Sequence, residues 1–318
     1  MNESPLYLPF DAIEQLPPLE YRIMHLMERN AILVLGGPPK QGKSRLALNM
    51  LWQAIAGQQV LGQFALTKTL FQSALVYNAE GGVRGLQARA GMAACVPAAL
   101  HGRLIGTDDK PLLMGNTGQL NNAAWLRIEG HVMDAEHATG GKVDVVVFDP
   151  LISFHAADEN SSAHMEQLFQ RFERLALDCD VGIIIVHHMK KPARETDASN
   201  PASGVELRGS SAIHGAATNI MMAAPLPVST RALDGKTRLR GLTVGFELKH
   251  SEPPDDIKLV CDRVSGRFYP RAAGLWAGDP AAFALDWGVD DVRYAEAFAC
   301  PEAKARELFA ALASGKVP

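Results

Sequence analysis

Gly37-Pro38-Pro39-Lys40-Gln41-Gly42-Lys43-Ser44 matches the pattern G-x-x-x-x-G-K-[ST] without a mismatch. The apolar residues 31–35 before this stretch predict a buried strand, and residues 44–56 after it carry apolar side chains at helical spacing and end at Gly57. In such a strand–loop–helix unit, backbone N–H groups of the loop and of the helix N-terminus face a phosphate group. The stretch therefore predicts a phosphate-binding loop (P-loop) and a nucleotide ligand.

The chemistry of this pattern assigns roles to single residues of the loop. Lys43 is expected to reach the β- and γ-phosphates, and the Ser44 hydroxyl is expected to bind Mg²⁺. We expect the nucleotide to be ATP, and the residues expected to contact it are Gly37, Pro38, Pro39, Lys40, Gln41, Gly42, Lys43, Ser44 and Arg45.

Apolar strands alternate with amphipathic helices from residue 31 to residue 186. The predicted strands are 74–78, 103–106, 143–148 and 181–186, and the predicted helices are 85–95, 121–137 and 165–177. Such alternation predicts βαβ units, and hence an α/β fold with a mostly parallel, doubly wound sheet. From residue 218 onward the pattern changes to strands joined by tight turns, at 218–223, 239–249, 256–261 and 266–269. Antiparallel hairpins should therefore extend the C-terminal end of the sheet.

The chain divides into three predicted segments. Residues 1–28 contain Pro5, Pro9, Pro17 and Pro18, which break up any long element, so this segment is either an arm that packs on a neighbour or a loosely attached leader. Residues 29–275 form the nucleotide-binding domain, and residues 276–318 form a tail with one helix at 301–312.

Composition excludes several classes of protein. The chain has 318 residues, is 47% hydrophobic and 21% charged, and has a net charge of -4, so any DNA site must be a local basic surface. Its four cysteines lie far apart without a C-x-x-C pair, which disfavours a zinc site and disulfides and fits the reducing cytoplasm. No signal-peptide pattern and no apolar run of roughly 20 residues is present, so we expect no membrane partner.

Two acidic residues follow predicted strands of the sheet. Asp149 ends the strand 143–148, where a P-loop enzyme holds the metal, although an aspartate before Pro150 could also simply start a turn. Glu80 follows the strand 74–78 and precedes two glycines, and it is either the carboxylate that polarises the attacking water or an ordinary loop residue. Asp144 lies at the opposite end of its strand and is expected to be a surface residue.

A histidine pair and a basic loop follow the strand 181–186. His187 and His188 indicate a polar sensor of the γ-phosphate, or a structural histidine at a strand end. The loop that follows contains Lys190, Lys191 and Arg194, which suits contact with a nucleic-acid backbone, although a solvated loop would show the same composition.

Together these motifs resemble the hexameric replicative DNA helicases with a RecA-type fold, most closely the small plasmid-encoded RepA-type helicases. The resemblance runs from about residue 17 to about residue 270. Its motifs are residues 17–21, the P-loop, 76–80, 147–151, the pair 187–188 with the residue before it, and Leu207-Arg208-Gly209-Ser210-Ser211.

The resemblance implies a RecA-like P-loop NTPase and a role for each matching residue. Glu80 resembles the catalytic glutamate, Asp149 the metal-ordering aspartate, and His188 the sensor, with His187 as the alternative. Arg208 is similar to the arginine that a subunit presents to the ATP of its neighbour. Lys249 falls where related rings place a second such cation, although Ser251 stands where relatives carry an arginine.

The expected function is an ATP-hydrolysing ring, most simply a hexamer, that moves along single-stranded DNA as a replicative helicase. The alternative is a RecA-like recombination, repair or regulatory ATPase that does not unwind DNA. The residues named above serve both functions equally.

Overall fold

The computed structural model describes residues 9–67, 71–93, 96–189, 204, 207, 211–226, 240–262 and 265–271. Strands within these residues are β1 (Tyr21–Ile23), β2 (Met27–Glu28), β3 (Ile32–Gly36), β4 (Ser73–Asn78), β5 (Leu104–Thr107), β6 (Val143–Asp149), β7 (Gly182–Val186), β8 (Asn219–Pro225), β9 (Gly241–Leu248), β10 (Ile257–Cys261) and β11 (Phe268–Arg271). The α-helices are α1 (Phe10–Glu14), α2 (Lys43–Ile55), α3 (Gly82–Gln87), α4 (Asn122–Thr139), α5 (Ser162–Cys179) and α6 (Ser211–Ala216). The predicted tail, with its helix at 301–312, lies outside the described residues.

The main sheet has nine strands in the order β11-β10-β9-β8-β3-β7-β6-β4-β5. Strands β8, β3, β7, β6, β4 and β5 are parallel to one another, and β9, β10 and β11 continue the sheet as antiparallel neighbours. The predicted α/β fold with a mostly parallel sheet and C-terminal antiparallel hairpins is confirmed. Parallel neighbours need long crossovers, usually through helices, whereas the eight residues between β9 and β10 and the six between β10 and β11 are too few for one.

Both faces of the sheet are buried, and successive residues of each central strand supply opposite faces. In β6, Val145 and Val147 join the apolar cluster that includes α2, whereas Val146 and Phe148 join the cluster that includes α4 and α5. This arrangement explains why residues 145–148 of β6 and all of β7 are continuous apolar runs in the sequence. The rigid sheet fixes the carboxyl ends of its strands, from which the candidate site is built.

Strands β1 and β2 form a small antiparallel hairpin that packs against the body of the domain. Ile23, Leu26 and Met27 are at most 1% exposed. Asn219, at the start of β8, holds the hairpin: its amide donates to the Leu26 carbonyl at 3.0 Å and to Glu28 at 2.9 Å. Residues 21–28 therefore belong to the packed body, whereas α1, earlier in the same predicted arm, has no buried residue.

The hairpin also corrects the expectation that Asp144 is a surface residue. Asp144 is buried and forms an ion pair with Arg22 of β1, and Gln72 donates its backbone N–H to the same carboxylate. Burial raises the pKa of Asp144, and the Gln72 N–H and the Arg22 charge act against that rise. The sequence suggested that Asp144 is exposed because it lies at the amino end of its strand. The hairpin that covers Asp144 is distant in sequence, so a local pattern could not reveal it.

The helix predicted at 85–95 is the second correction. The observed α3 begins earlier and is short, and a 3₁₀ helix at Ala90–Ala93 follows it. Asp108 fixes the start of α3, because its carboxylate accepts a hydrogen bond from the Val83 N–H at 2.6 Å. Gly82 takes φ 53°, so the chain turns sharply directly after Glu80, as the two glycines predicted.

None of the helices in the described part of the chain is long and apolar enough to cross a bilayer.

Candidate functional site

The candidate site lies where four neighbouring parallel strands end. Strands β3, β7, β6 and β4 are adjacent in that order, and the P-loop, the histidine pair, Asp149 and Glu80 lie at or directly after their carboxyl ends. Carboxyl ends of parallel strands share one edge of the sheet, so the topology brings together residues more than 100 positions apart. The edge is where open α/β sheets bind their ligands.

The backbone of the P-loop adopts conformations that glycine favours. Gly37 has φ 146° and Gly42, which precedes α2, has φ 94°. A Cβ on Gly37 would lie 2.3 Å from the Ala223 carbonyl oxygen of β8, so no larger residue fits there without a shift of the loop or of β8. Lys40, at the tip, also has a positive φ, of 61°. The sequence pattern therefore reflects close packing of the loop against the sheet as well as room for phosphate.

The Lys43 side chain is folded back onto its own loop. It is 4% exposed, and its ammonium donates to the carbonyls of Gly37 at 2.8 Å and of Pro38 at 2.7 Å. The His188 Nδ1 lies 3.3 Å from the same nitrogen. These contacts hold the cation at the position from which it can exchange loop carbonyls for phosphate oxygens.

Burial weakens the hold of Lys43 on its proton. Removal from water lowers the pKa of Lys43 to about 8, although the negative charges of Asp149 and Glu80 act in the opposite direction. In the neutral to mildly alkaline range, the protonation state of Lys43 therefore depends on the charges around it. A phosphate beside it would restore the pKa toward the ordinary value, because an anion stabilises the ammonium form.

Asp149 and Ser44, the two residues predicted to hold a metal ion, lie at the same edge of the sheet. Asp149 is 6% exposed, and burial raises the pKa of Asp149, while a hydrogen bond from Ser44 and the charge of Arg89 lower it. The Ser44 hydroxyl therefore lies near the Asp149 carboxylate, and these two oxygen groups suit a Mg²⁺ ion that takes most of its ligands from phosphates and water. The described residues contain no group of three or more His, Cys, Asp or Glu side chains that could hold a metal ion.

Glu80 lies beside this pair. Asn78, at the end of β4, is paired with Asp149, and the Ala79 N–H donates to the Asp149 carbonyl at 2.8 Å. Glu80 follows at once and is exposed, and its charge raises the pKa of both Lys43 and Asp149. The carboxylate therefore lies within electrostatic range of the phosphate-binding groups while it remains accessible to water.

The two histidines of the pair lie in different surroundings. His188 is partly exposed and contacts Lys43, whereas His187 is 1% exposed and its Nδ1 lies 3.9 Å from Glu159 Oε1. His188 is thus the member of the pair that faces the P-loop. Its role as a sensor stays a prediction.

Three residues near the site escaped the sequence analysis. Arg89, after α3, is close enough to lower the pKa of Asp149. Glu159 is 6% exposed between two buried histidines, with His155 Nε2 at 3.7 Å and His187 Nδ1 at 3.9 Å. No motif marks these residues, and only the fold brings Arg89 near Asp149 and brings His155 and Glu159 near His187. For His155 and Glu159 the one available sequence signal was the mostly polar stretch 155–161 before α5, and Arg89 had none.

Two other predicted residues, Lys249 and Arg45, face other parts of the structure. Lys249 follows β9, which is antiparallel to β8, so Lys249 lies at the opposite edge of the sheet from its own P-loop. Arg45 turns toward β10, where its Nη1 lies 3.5 Å from Cys261 Sγ. The predicted trans arginine and the predicted DNA-binding cations lie outside the described residues: Arg208, Lys190, Lys191 and Arg194.

The comparisons with known proteins agree with this geometry. The family model of the AAA domain matches residues 4–194, which end six positions after His188. A comparison with curated proteins finds no match. The matched region contains the P-loop, Glu80, Asp149 and His188, and it ends before β8. Since the match covers more than half of the chain, the protein belongs to the AAA domain family of P-loop ATPases.

Proposed function

We propose that this P-loop ATPase assembles into a ring, most simply a hexamer, and uses ATP hydrolysis to move along single-stranded DNA as a replicative helicase. The observation that carries the proposal is the contact between Lys43 and His188 at the point where the basic loop begins. His188, which contacts the phosphate-binding Lys43, thus lies two residues before the segment 190–194, which carries three cations within five residues.

The residues of one chain supply most of the hydrolytic machinery. Glu80 orients the attacking water and accepts its proton, and Lys43 neutralises the charge that develops on the phosphates. Ser44 and Asp149 would hold Mg²⁺, which supplies further positive charge to the phosphates when bound. Arg208 of a neighbouring chain would complete the site, as an arginine finger does in related reactions.

The basic loop is the proposed contact with DNA. Met189 and Leu207 form an antiparallel bridge, so the two ends of the segment that carries the cations meet beside the site. Lys190, Lys191 and Arg194 offer charges for successive phosphates, and a translocating motor needs no readout of bases. A change at His188 upon hydrolysis would therefore reach the loop through a single residue, Met189.

The proposal is tested by joint measurement of assembly and unwinding. The full chain, with ATP and single-stranded DNA, is expected to form closed rings in electron micrographs and to separate a forked duplex. Open filaments without unwinding would instead support the recombination or repair ATPase. ATP hydrolysis without either assembly or DNA binding would support the regulatory ATPase.

Mixing of two inactive variants tests the site between subunits. Lys43→Ala and Arg208→Ala are each expected to be inactive, but chains mixed before assembly would form some interfaces with both residues intact, and partial hydrolysis should return. Mixed rings that form without any hydrolysis, together with a lowered melting temperature of Arg208→Ala alone, would assign Arg208 to a structural ion pair within its own chain.

The DNA contact is tested by changing Lys190, Lys191 and Arg194 together to alanine. The affinity for single-stranded DNA should fall and its dependence on salt concentration should weaken, while ATP hydrolysis without DNA is retained. An unchanged salt dependence would place the DNA contact elsewhere on the chain.

A further inference from the structure

The turn that carries Glu80 is held on both of its sides. Glu80 is exposed, so packing constrains its side chain little, and its position depends on the backbone before and after it. Before Glu80, the Ala79 N–H donates to the Asp149 carbonyl at 2.8 Å, which fixes residue 79 to β6. After Glu80, Gly82 takes φ 53° and the chain enters α3. The side chains that fix this second half of the turn therefore decide where the Glu80 carboxylate lies.

Asn78 holds the turn from the inside of the fold. It is 2% exposed, and its Nδ2 donates to the Gly82 carbonyl at 3.0 Å, so this hydrogen bond spans Glu80. A Cβ on Gly81 would lie 3.2 Å from Asn78 Nδ2, and a Cβ on Gly85 would lie 2.7 Å from it. Glycine inside a helix is less favourable than alanine, so the space that Asn78 occupies explains why Gly85 stands in the middle of α3.

Asp108 holds the same turn from the solvent side. Strand β5 is the parallel neighbour of β4, so Asp108, directly after β5, lies beside the end of β4. Its carboxylate accepts a hydrogen bond from the Val83 N–H at 2.6 Å, and a Cβ on Gly82 would collide with the same carboxylate. Because Asp108 is exposed, its replacement by a smaller residue removes this contact without opening a cavity in the core.

We propose that Asn78 and Asp108 are positioning residues that hold Glu80 in place for hydrolysis of the nucleotide. Neither side chain needs to touch the nucleotide, because each acts through the backbone that follows Glu80. Displacement of a catalytic group by about 1 Å can slow an enzyme about a hundredfold, so these contacts should affect the rate more than the binding of ATP. The inference rests on the proposed role of Glu80 as the proton acceptor, but it requires neither a ring nor DNA.

Asp108 supplies the first test. Asp108→Ala should lower kcat for ATP hydrolysis roughly tenfold, while the dissociation constant for a fluorescent ATP analogue stays within about twofold of the wild-type value. Asp108→Asn should restore most of the rate, because its amide oxygen can still accept the hydrogen bond from the Val83 N–H. Asp109→Ala is the matched control, since Asp109 is the next carboxylate along the chain but pairs with Arg127, and it should leave kcat unchanged.

Three results of this comparison would overturn the role of Asp108. A wild-type kcat in Asp108→Ala would show that the hydrogen bond to α3 does not matter for the rate. An asparagine variant as slow as the alanine variant would assign the effect to the lost charge. An equal loss in Asp109→Ala would assign it to a general disturbance of the loop after β5.

A double-mutant cycle shows whether Asp108 acts through Glu80. Asp108→Ala should cause little further loss of rate in a chain that already carries Glu80→Gln, because the proton acceptor that Asp108 positions is gone. A purely structural role would instead give losses that multiply in the double variant, and that result would contradict the proposal.

Gly85→Ala supplies the test for Asn78, because the new Cβ would displace the Asn78 amide without truncating a buried side chain. It should lower kcat and leave the affinity for ATP near the wild-type value. Gly130→Ala is the control, since Gly130 lies within α4 and a Cβ there meets no atom within 4 Å. Equal rates for the two glycine variants would remove Asn78 from the proposal.

The positioning role and the proposed role of Glu80 fail in different ways. A Glu80→Gln chain that hydrolyses ATP at the wild-type rate would remove Glu80 from the mechanism, and the positioning role with it. A slow Glu80→Gln chain beside an Asp108→Ala chain with wild-type kcat would overturn the positioning by Asp108 alone. Both results leave ring formation and unwinding of DNA to their own measurements.

Discussion

Between pH 7 and pH 9 the affinity for ATP should depend on pH through one side chain, Lys43. Burial lowers the pKa of Lys43 to about 8 from its ordinary value of 10.5, and the two neighbouring carboxylates only partly offset that effect. The nucleotide binds the protonated form, because its phosphates interact favourably with the ammonium and not with the neutral amine. Deprotonation of the free protein therefore competes with binding, and the affinity should fall as the pH rises through 8.

The size of the effect follows from the protonated fraction. With a pKa of about 8, most free molecules carry the charge at pH 7 and only a small fraction carries it at pH 9, so the dissociation constant should rise roughly tenfold between these values. The direction is fixed by the cause, since desolvation always disfavours the charged form of a lysine.

A fluorescent ATP analogue, titrated at a series of pH values from 7 to 9 with Mg²⁺ present, measures this dependence. Lys43→Arg is the control, because arginine stays protonated throughout the range. The arginine variant can bind more weakly than the wild type at any one pH. The ratio of its dissociation constants at pH 9 and pH 7 should nevertheless stay near one. A wild-type affinity that is constant over this range, with the fold intact by circular dichroism, would refute the argument from burial, as would an equal fall in the arginine variant.

Three further predictions concern the site and the frame that holds it. Glu80→Gln should bind ATP but hydrolyse it at least tenfold more slowly in steady-state assays, because the proton acceptor is lost while the shape is kept; loss of binding would make Glu80 a structural residue instead. Gly37→Ala should weaken ATP binding because its Cβ meets the Ala223 carbonyl at 2.3 Å, whereas Gly57→Ala, which meets no atom within 4 Å, should leave binding unchanged; equal affinities for the two variants would contradict this. Asn219→Ala should lower the free energy of unfolding by about 3 kcal/mol in urea titrations, since three hydrogen bonds of a buried side chain are lost, and a change below about 1 kcal/mol would show that the hairpin needs no such anchor.

The sheet and the P-loop could be predicted from sequence because their signals are local. The apolar, largely β-branched residues 145–148 are typical of a strand that is buried on both faces, and the pattern G-x-x-x-x-G-K-[ST] between a strand and a helix is typical of a phosphate-binding loop. The change from long crossovers to short turns after residue 218 likewise predicted the antiparallel end of the sheet. These features depend on neighbouring residues, so a single sequence reveals them.

Features that depend on distant packing could not be predicted in the same way. Asp144 is buried only because Arg22, over 100 residues earlier, covers it. The start of α3 is set by Asp108, which belongs to the loop after β5. The burial of Glu159 between two histidines likewise depends on the order of β6 and β7 in the sheet. Side-chain contacts of this kind follow from topology, and propensity within a short window carries no information about them.

The buried charges of the site explain why the binding of its ligands should be linked to the uptake and release of protons. Burial disfavours the ammonium of Lys43 and the carboxylate of Asp149, and each of these charges favours the other only in part. A polyphosphate beside Lys43 and a divalent cation beside Asp149 would each supply the charge that stabilises the ionised form. Binding should then be accompanied by proton uptake at Lys43 above about pH 8 and by proton release at Asp149 in the acidic range. Calorimetric titrations in buffers of different ionisation enthalpy measure both, and an enthalpy at pH 8.5 that does not change with the buffer would show that Lys43 stays fully protonated before the nucleotide binds.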